Sequence, residues 1–273
     1  MKKYVKIGLI VLTVGILMCV ISGAIIYATE DNFNFGNFGP TTSFTETLDD
    51  INANPDDIKN ISISLSMGDI KIESGSEFRL EADDVYEKSA AHLNLNGDTL
   101  EIKEKKKKKD PLNINFGVVT TQNYTLTIPD EVYENINFEL AFCDAEVKDI
   151  SCENAEFDIS FGDFECTNLD VSDSFTSNTS FGDSDFEIVS DEIERISVNN
   201  SFGDYDLKAK YLTENGDIDN SFGDCTVTLR GDNYKISKSN SFGDISADSN
   251  RSGSDTVNVS ADNSFGDLDI DTD

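Results

Sequence analysis

The tetrapeptide Ser-Phe-Gly-Asp occurs six times in the second half of this chain, with its phenylalanine at Phe161, Phe181, Phe202, Phe222, Phe242 and Phe265. The spacings are 20, 21, 20, 20 and 23 residues. A degenerate copy, Ala141-Phe142-Cys143-Asp144, precedes the first by 19, and Leu65-Ser66-Met67-Gly68-Asp69 is a fainter echo. A fixed period of this length marks an architecture of stacked repeats. Counting each phenylalanine as zero, position minus six holds Ala155, Phe175, Ile196, Gly216, Ile236 and Val259. Position minus four holds Phe157, Ser177, Val198, Ile218, Lys238 and Ala261. These mostly apolar residues alternate with polar ones, the period of a strand with one buried face. Positions plus three (Phe164, Ser184, Tyr205, Cys225, Ile245, Leu268) and plus five (Cys166, Phe186, Leu207, Val227, Ala247, Ile270) describe a second such strand. The inward parity changes across Gly-Asp, which makes that pair a corner.

Two short strands cannot bury their own apolar faces, but identical coils stacked at ~4.8 Å can. The pattern therefore predicts an all-β fold, a parallel β-solenoid of roughly 20-residue coils. Seven coils from Phe142 to Phe265 would extend about 30 Å at that spacing. Parity carried through position zero places the phenylalanines inside, as an internal aromatic stack. Position minus two, with Asn200, Asn220, Asn240 and Asn263, also faces inward and would form a side-chain amide ladder that holds register. An antiparallel sandwich of hairpins is the rival, since Gly-Asp is also a hairpin turn. The constant period with identical corners argues against it.

Upstream, Ile61–Leu65, Gly68-Asp69 and Ile70–Ile72 read as strand, turn, strand. Leu93–Leu95, Asn96-Gly97-Asp98 and Leu100–Ile102 repeat that pattern, and Tyr124–Ile128 is a further strand closed by Pro129. Residues 51–135 are thus an N-terminal β region, 136–273 the repeat solenoid, and 29–50 a spacer rich in Asn, Gly and Thr. Residues 7–27, IGLIVLTVGILMCVISGAIIY, carry no charge. As a helix they span ~30 Å of hydrocarbon. We expect a transmembrane helix over 7–28, with the tail 1–6 kept inside by Lys2, Lys3 and Lys6 and the remainder outside. A cleaved signal peptide competes, but its apolar core would be long and Ile26-Tyr27-Ala28 is a poor cleavage site. A lipoprotein acylated at Cys19 is disfavoured by the bulky Met18 before it.

Charge limits the partners. The chain has 53 acidic against 21 basic residues, a net −32, and residues 30–273 hold 18 cations against the 53 acids. Nucleic acid would be repelled, and docking on anionic lipid is disfavoured. The lysines Lys105, Lys106, Lys107, Lys108 and Lys109 are the only basic cluster outside. They read as a solvated loop tip, or else as a contact for anionic envelope polymer. Calcium is the one cofactor to weigh. Asp163, Asp183, Asp204, Asp224, Asp244 and Asp267 would stack one per coil, and calcium favours carboxylates. One carboxylate per coil is sparse, so turn formation is the default reading. Cys143, Cys152, Cys166 and Cys225 lack metal-site spacing, with His92 the only histidine. Cys166 and Cys225 fall on inward columns and read as small apolar residues, while a Cys143–Cys152 disulfide is geometrically open. No catalytic residue stands out: the coils are tight, with few insertions beyond 251–256, and Trp is absent.

The repeated Gly-Asp-Ile/Leu corners, the Tyr124-Thr-Leu-Thr-Ile128-Pro129 junction and the N-terminal anchor resemble a bacterial "putative adhesin" family, a domain-of-unknown-function family of Gram-positive bacteria. The likeness covers roughly residues 50–270. It implies a membrane-anchored β-solenoid on the outer side of the cytoplasmic membrane, related to proteins encoded beside envelope-stress response systems, and brings no catalytic residues with it. The expected function is a non-enzymatic, adhesin-like or envelope-associated interaction module, with a cell-wall or protein partner. The alternatives are an accessory subunit of an envelope-stress signalling system acting through its anchor, with Gly8, Gly15 and Gly23 as small packing residues, and a polysaccharide-acting enzyme.

Overall fold

Alternation of apolar and polar residues in the repeats produces strands, and identical strands pair in parallel. The computed structural model describes residues 40–104, 122–247 and 256–272. The segment 7–28, Cys19, the five-lysine run and most of the 251–256 insertion lie outside the described residues. Apart from two short 3-10 turns, Leu48–Ile51 and Pro55–Asp57, every described regular element is a strand.

Equivalent positions pair directly. Phe175, Ser177 and Thr179 face Ile196, Val198 and Asn200 in parallel register, and these face Gly216, Ile218 and Asn220. Beyond the corner, Phe164 pairs with Ser184, Ser184 with Tyr205 and Tyr205 with Cys225, again in parallel. The minus-six, minus-four, plus-three and plus-five columns make one core, nearly all of it buried except in the rung of Gly243. A parallel β-solenoid is therefore the arrangement of the repeats. The Gly68 corner joins the stack too, its strands Asn60–Leu65 and Asp69–Gly75 pairing with Val132–Phe142 and Ala145–Phe161.

Each Ser-Phe-Gly-Asp corner is a close approach of backbones. Gly182 and Gly203 have φ of +120° and +116°. A Cβ on Gly182 would stand 2.0 Å from the Gly162 carbonyl oxygen, and one on Gly203 2.1 Å from that of Gly182. Glycine is needed twice over, for its conformation and for its missing Cβ.

The phenylalanines are not inside. Phe142, Phe161, Phe181 and Phe202 are 58%, 40%, 43% and 41% exposed. Period-two parity holds only while the chain is a strand, and five of the six Ser-Phe-Gly-Asp strands, those ending at Thr179, Asn200, Asn220, Asn240 and Asn263, stop two residues before the ring, while the sixth stops on Phe161 itself. The asparagine then fills the inside of the corner: Asn200 Nδ2 donates to the Gly203 carbonyl at 2.8 Å, and Asn220 does the same to Gly223. Leu140, Ile159 and Thr179 are buried at the same position in the earlier rungs, and with the inward place so taken the ring turns outward. Ring position and architecture prove separable, because the strand columns alone close the core.

The stacking order also departs from chain order. Coils were expected to follow one another, but the rung of Gly266 lies between those of Gly223 and Gly243: Val257–Asn263 pairs with both Tyr211–Asn220 and Tyr234–Asn240. Lys238 gives the reason. It occupies the inward minus-four column, and burying an ammonium there between two rungs would be costly. Only in a terminal rung does that column open to water. There Lys238 is exposed, and its Nζ reaches across to the Ala247 carbonyl at 3.4 Å. An inward charge on an edge strand also blocks edge-to-edge pairing. We expect Lys238→Ile to self-associate through this end, raising the mass measured by light scattering as concentration rises. A mass unchanged from that of the wild-type chain would show that the end is guarded by something else.

The opposite end is closed by apolar packing. Thr99–Glu104 and Asn123–Pro129 form the outer parallel rung. Ala91–Asn96 and Arg79–Tyr86 pair antiparallel on its outer side. Phe78, Leu80, Val85 and Leu93 are buried beneath them. The expected spacer contributes as well: Thr41–Thr47 pairs antiparallel with Arg79–Tyr86. Its β-branched threonines suit a strand, and Phe44 stacks on His92 with ring centroids 4.8 Å apart. Glu46 pins it further, accepting from the Leu93 backbone N–H at 2.9 Å and lying 2.5 Å from His92 Nδ1.

Candidate functional site: an exterior phenyl ladder

The corners bring seven phenyl rings into one column on the outer surface. Ring centroids from Phe142 through Phe161, Phe181, Phe202 and Phe222 lie 4.7 Å apart, with planes inclined by 1–6°. Phe222, Phe265 and Phe242 continue the column at 4.8 Å. This is the strand spacing itself, so the backbone sets the ring repeat. The rings face one another and turn their edges to solvent.

Two residues beyond each ring runs a ladder of aspartates. The Oδ1 of Asp144 accepts the Asp163 backbone N–H at 2.8 Å, that of Asp163 accepts from Asp183 at 3.1 Å, and that of Asp183 from Asp204 at 3.0 Å. The ladder continues through Asp224, Asp267 and Asp244 at 3.1–3.3 Å. One oxygen of each expected calcium candidate except Asp244 is thus engaged in joining rungs, Asp244 in the terminal rung contributing only its backbone N–H. Among the described residues no three His, Cys, Asp or Glu side chains are grouped so as to hold a metal ion. A shallow open groove beside the ladder is lined by Asp69, Asp144, Glu146, Asp163, Glu165 and Asp183.

Inside the corners the asparagine ladder stands where the sequence placed it. Thr179 Oγ1 donates to Asn200 Oδ1 at 2.9 Å, Asn200 Nδ2 to Asn220 Oδ1 at 3.0 Å, and Asn220 Nδ2 to Asn263 Oδ1 at 3.0 Å. Asn263 reaches Asn240, in the terminal rung, at 3.4 Å. Asn200, Asn220 and Asn263 are buried, which identifies this ladder as a register device. Cys143, Cys152, Cys166 and Cys225 are buried free thiols. Burial pushes Cys143, Cys152 and Cys225 up to about 12, so the reactive thiolate is scarce at neutral pH. The Cys143–Cys152 disulfide that the sequence left open is not formed, Cys143 Sγ pointing instead to the Leu65 carbonyl at 3.7 Å. The sequence signalled the ladder's members but not its face. The signal for that was available in the residue two before the ring, Leu140, Ile159, Thr179 or a buried asparagine, which already takes the interior space.

No curated protein matches the sequence. Among solved structures, the chain is similar to a "putative cell adhesion protein" from Clostridium sporogenes at 12% identity and a TM-score of 0.40, covering 85% of this chain and 100% of that one. It is also similar to a "putative adhesin" from Bacteroides fragilis at 13% identity, TM-score 0.43, covering 84% and 96%. A "putative lipid binding protein" from Parabacteroides distasonis follows at 12%, TM-score 0.42, covering 87% and 98%. The model of one family matches residues 58–273, from the first inward strand through every corner described above, and by that match the chain belongs to the Toastrack DUF4097 family.

Proposed function

We propose that this protein is a non-enzymatic interaction module of the cell envelope, held in the cytoplasmic membrane by residues 7–28 and presenting its acidic solenoid outside as an adhesin-like surface. The uncharged run behind Lys2, Lys3 and Lys6 supports the anchor and its orientation. The contact surface is the phenyl ladder. This reading is carried by one observation: a chain that buries small residues such as Ser177 and Ala261 in its core leaves rings at Phe142, Phe161, Phe181 and Phe202 outside. A contiguous exposed apolar stripe is the usual mark of a binding surface.

The test uses the full chain with a C-terminal epitope and a variant carrying Phe161→Ser, Phe181→Ser and Phe202→Ser. On intact cells the epitope should be reached by antibody without permeabilisation. The wild-type chain in neutral-lipid nanodiscs should sediment with purified envelope, and the variant should be retained at least tenfold less, since a tenfold loss is about 1.4 kcal/mol and even two anchors of ~1 kcal/mol each exceed it. Equal retention of the two would overturn the reading.

A further inference from the structure

We infer that the partner of the ladder is a basic amphipathic helix; this rests on the ladder being the contact surface. The argument begins with what flanks the rings. The column on one side is aspartate in every rung, from Asp144 to Asp244, each exposed. On the other side lie the serines at minus one and then Asp158, Asn178, Asn199, Asp219, Asp262 and Ser239 at minus three. Neither flank contains a lysine or arginine. Among the described residues no ladder aspartate takes part in an ion pair; the ion pairs found involve other carboxylates. Crowding is felt at Asp219, whose carboxyl is raised above its usual range by burial and by Asp217 and Asp262. Anionic polymers and anionic lipid headgroups are therefore repelled. The rings face each other, so a lone cation gains little from them, and its attraction must come from the carboxylates. The stripe calls for a ligand that is apolar along one line and cationic on both sides of it.

Spacing selects the form of that ligand. The ring repeat is 4.7–4.8 Å. An extended peptide brings same-face side chains round every ~6.8 Å, out of step with the rings. A helix brings its apolar stripe round every ~5.4 Å, within about 0.7 Å of the ring repeat. Six ring intervals cover about 28 Å, which matches roughly 19 helical residues at 1.5 Å each. Lysine or arginine beside such a stripe would meet the aspartate ladder on one flank and Asp158, Asp219 and Asp262 on the other.

The experiment measures fluorescence anisotropy of a labelled helix-forming peptide of leucine and lysine, about 19 residues long, against the full chain in phosphatidylcholine nanodiscs. Empty nanodiscs supply the background. Controls are a scrambled peptide of the same composition and one with glutamate for lysine. Binding with a gain of helical circular dichroism is expected for the patterned peptide. The scrambled peptide should bind about tenfold more weakly, and the glutamate peptide should not bind. The Phe161→Ser, Phe181→Ser, Phe202→Ser variant should lose about tenfold. So should Asp163→Asn, Asp183→Asn, Asp204→Asn, which keeps every Oδ1 acceptor and hence the rungs while removing three charges. Equal binding of patterned and scrambled peptides, or no loss in either variant, would overturn the inference. The two readings fail separately. If envelope retention depends on the rings but no helix binds, the partner class is wrong and the surface stands. If retention ignores the rings, the surface itself falls.

Discussion

Gly203→Ala is expected to be among the most damaging single methyl groups in this protein. Its Cβ would stand 2.1 Å from the Gly182 carbonyl oxygen and 2.8 Å from that carbonyl carbon, both backbone atoms of the adjacent rung. No side chain can swing aside; the two rungs must part. The φ of +116° adds a conformational penalty. Conformational strain of ~1–3 kcal/mol and a steric term of ~1–3 kcal/mol together give about 4 kcal/mol. That is a large share of the 5–15 kcal/mol typical of a domain's whole stability. Gly97 supplies the control. It also has positive φ, +67°, but a Cβ there would meet nothing within 4 Å, so Gly97→Ala should cost only about 1 kcal/mol. Urea unfolding of the two variants checks the claim. Equal losses would mean that backbone approach is not what the corner requires.

Asn220→Ala should come next, at about 3 kcal/mol. The amide of Asn220 accepts from Asn200 and donates to Gly223 and Asn263. Truncation leaves a donor on Asn200 and the acceptors on Gly223 and Asn263 short of a partner in a buried place, at ~1–3 kcal/mol for a buried polar group so left. The loss should be smaller at the end of the ladder. Asn240 is exposed and its amide donates to Gly243 alone, so water replaces what Asn240→Ala removes and the cost should stay below about 1 kcal/mol. A thermal melt of each variant distinguishes them. Should both melt alike, the ladder would hold register no better at its centre than at its solvated end.

These predictions show how much of the molecule could be read early. The 20-residue period, the glycine corner, the inward asparagines and the minus-four and plus-five columns follow from residue alternation, because a strand's side-chain period is fixed by its backbone. The parallel pairing of identical coils follows from their equality. Where alternation stops, so did the reading. The rings at position zero lie at or just past the strand ends, and they turn outward where the residue two before them, Leu140, Ile159, Thr179 or a buried asparagine, already occupies the interior. Thr41–Thr47 looked like linker because its partner, Arg79–Tyr86, is remote in sequence and pairs with it antiparallel.

By itself, then, the sequence determined the repeat unit: two strands, one glycine corner, an amide inside it and a carboxylate beyond it. It also determined the acidic charge and the uncharged N-terminal run. Tertiary structure alone decided the order of the last two rungs, the closure of each end and the face on which the rings stack. The reason is that local alternation fixes which side chains share a face, whereas the cost of burying Lys238 and the competition for space inside a corner exist only once neighbouring rungs are in place.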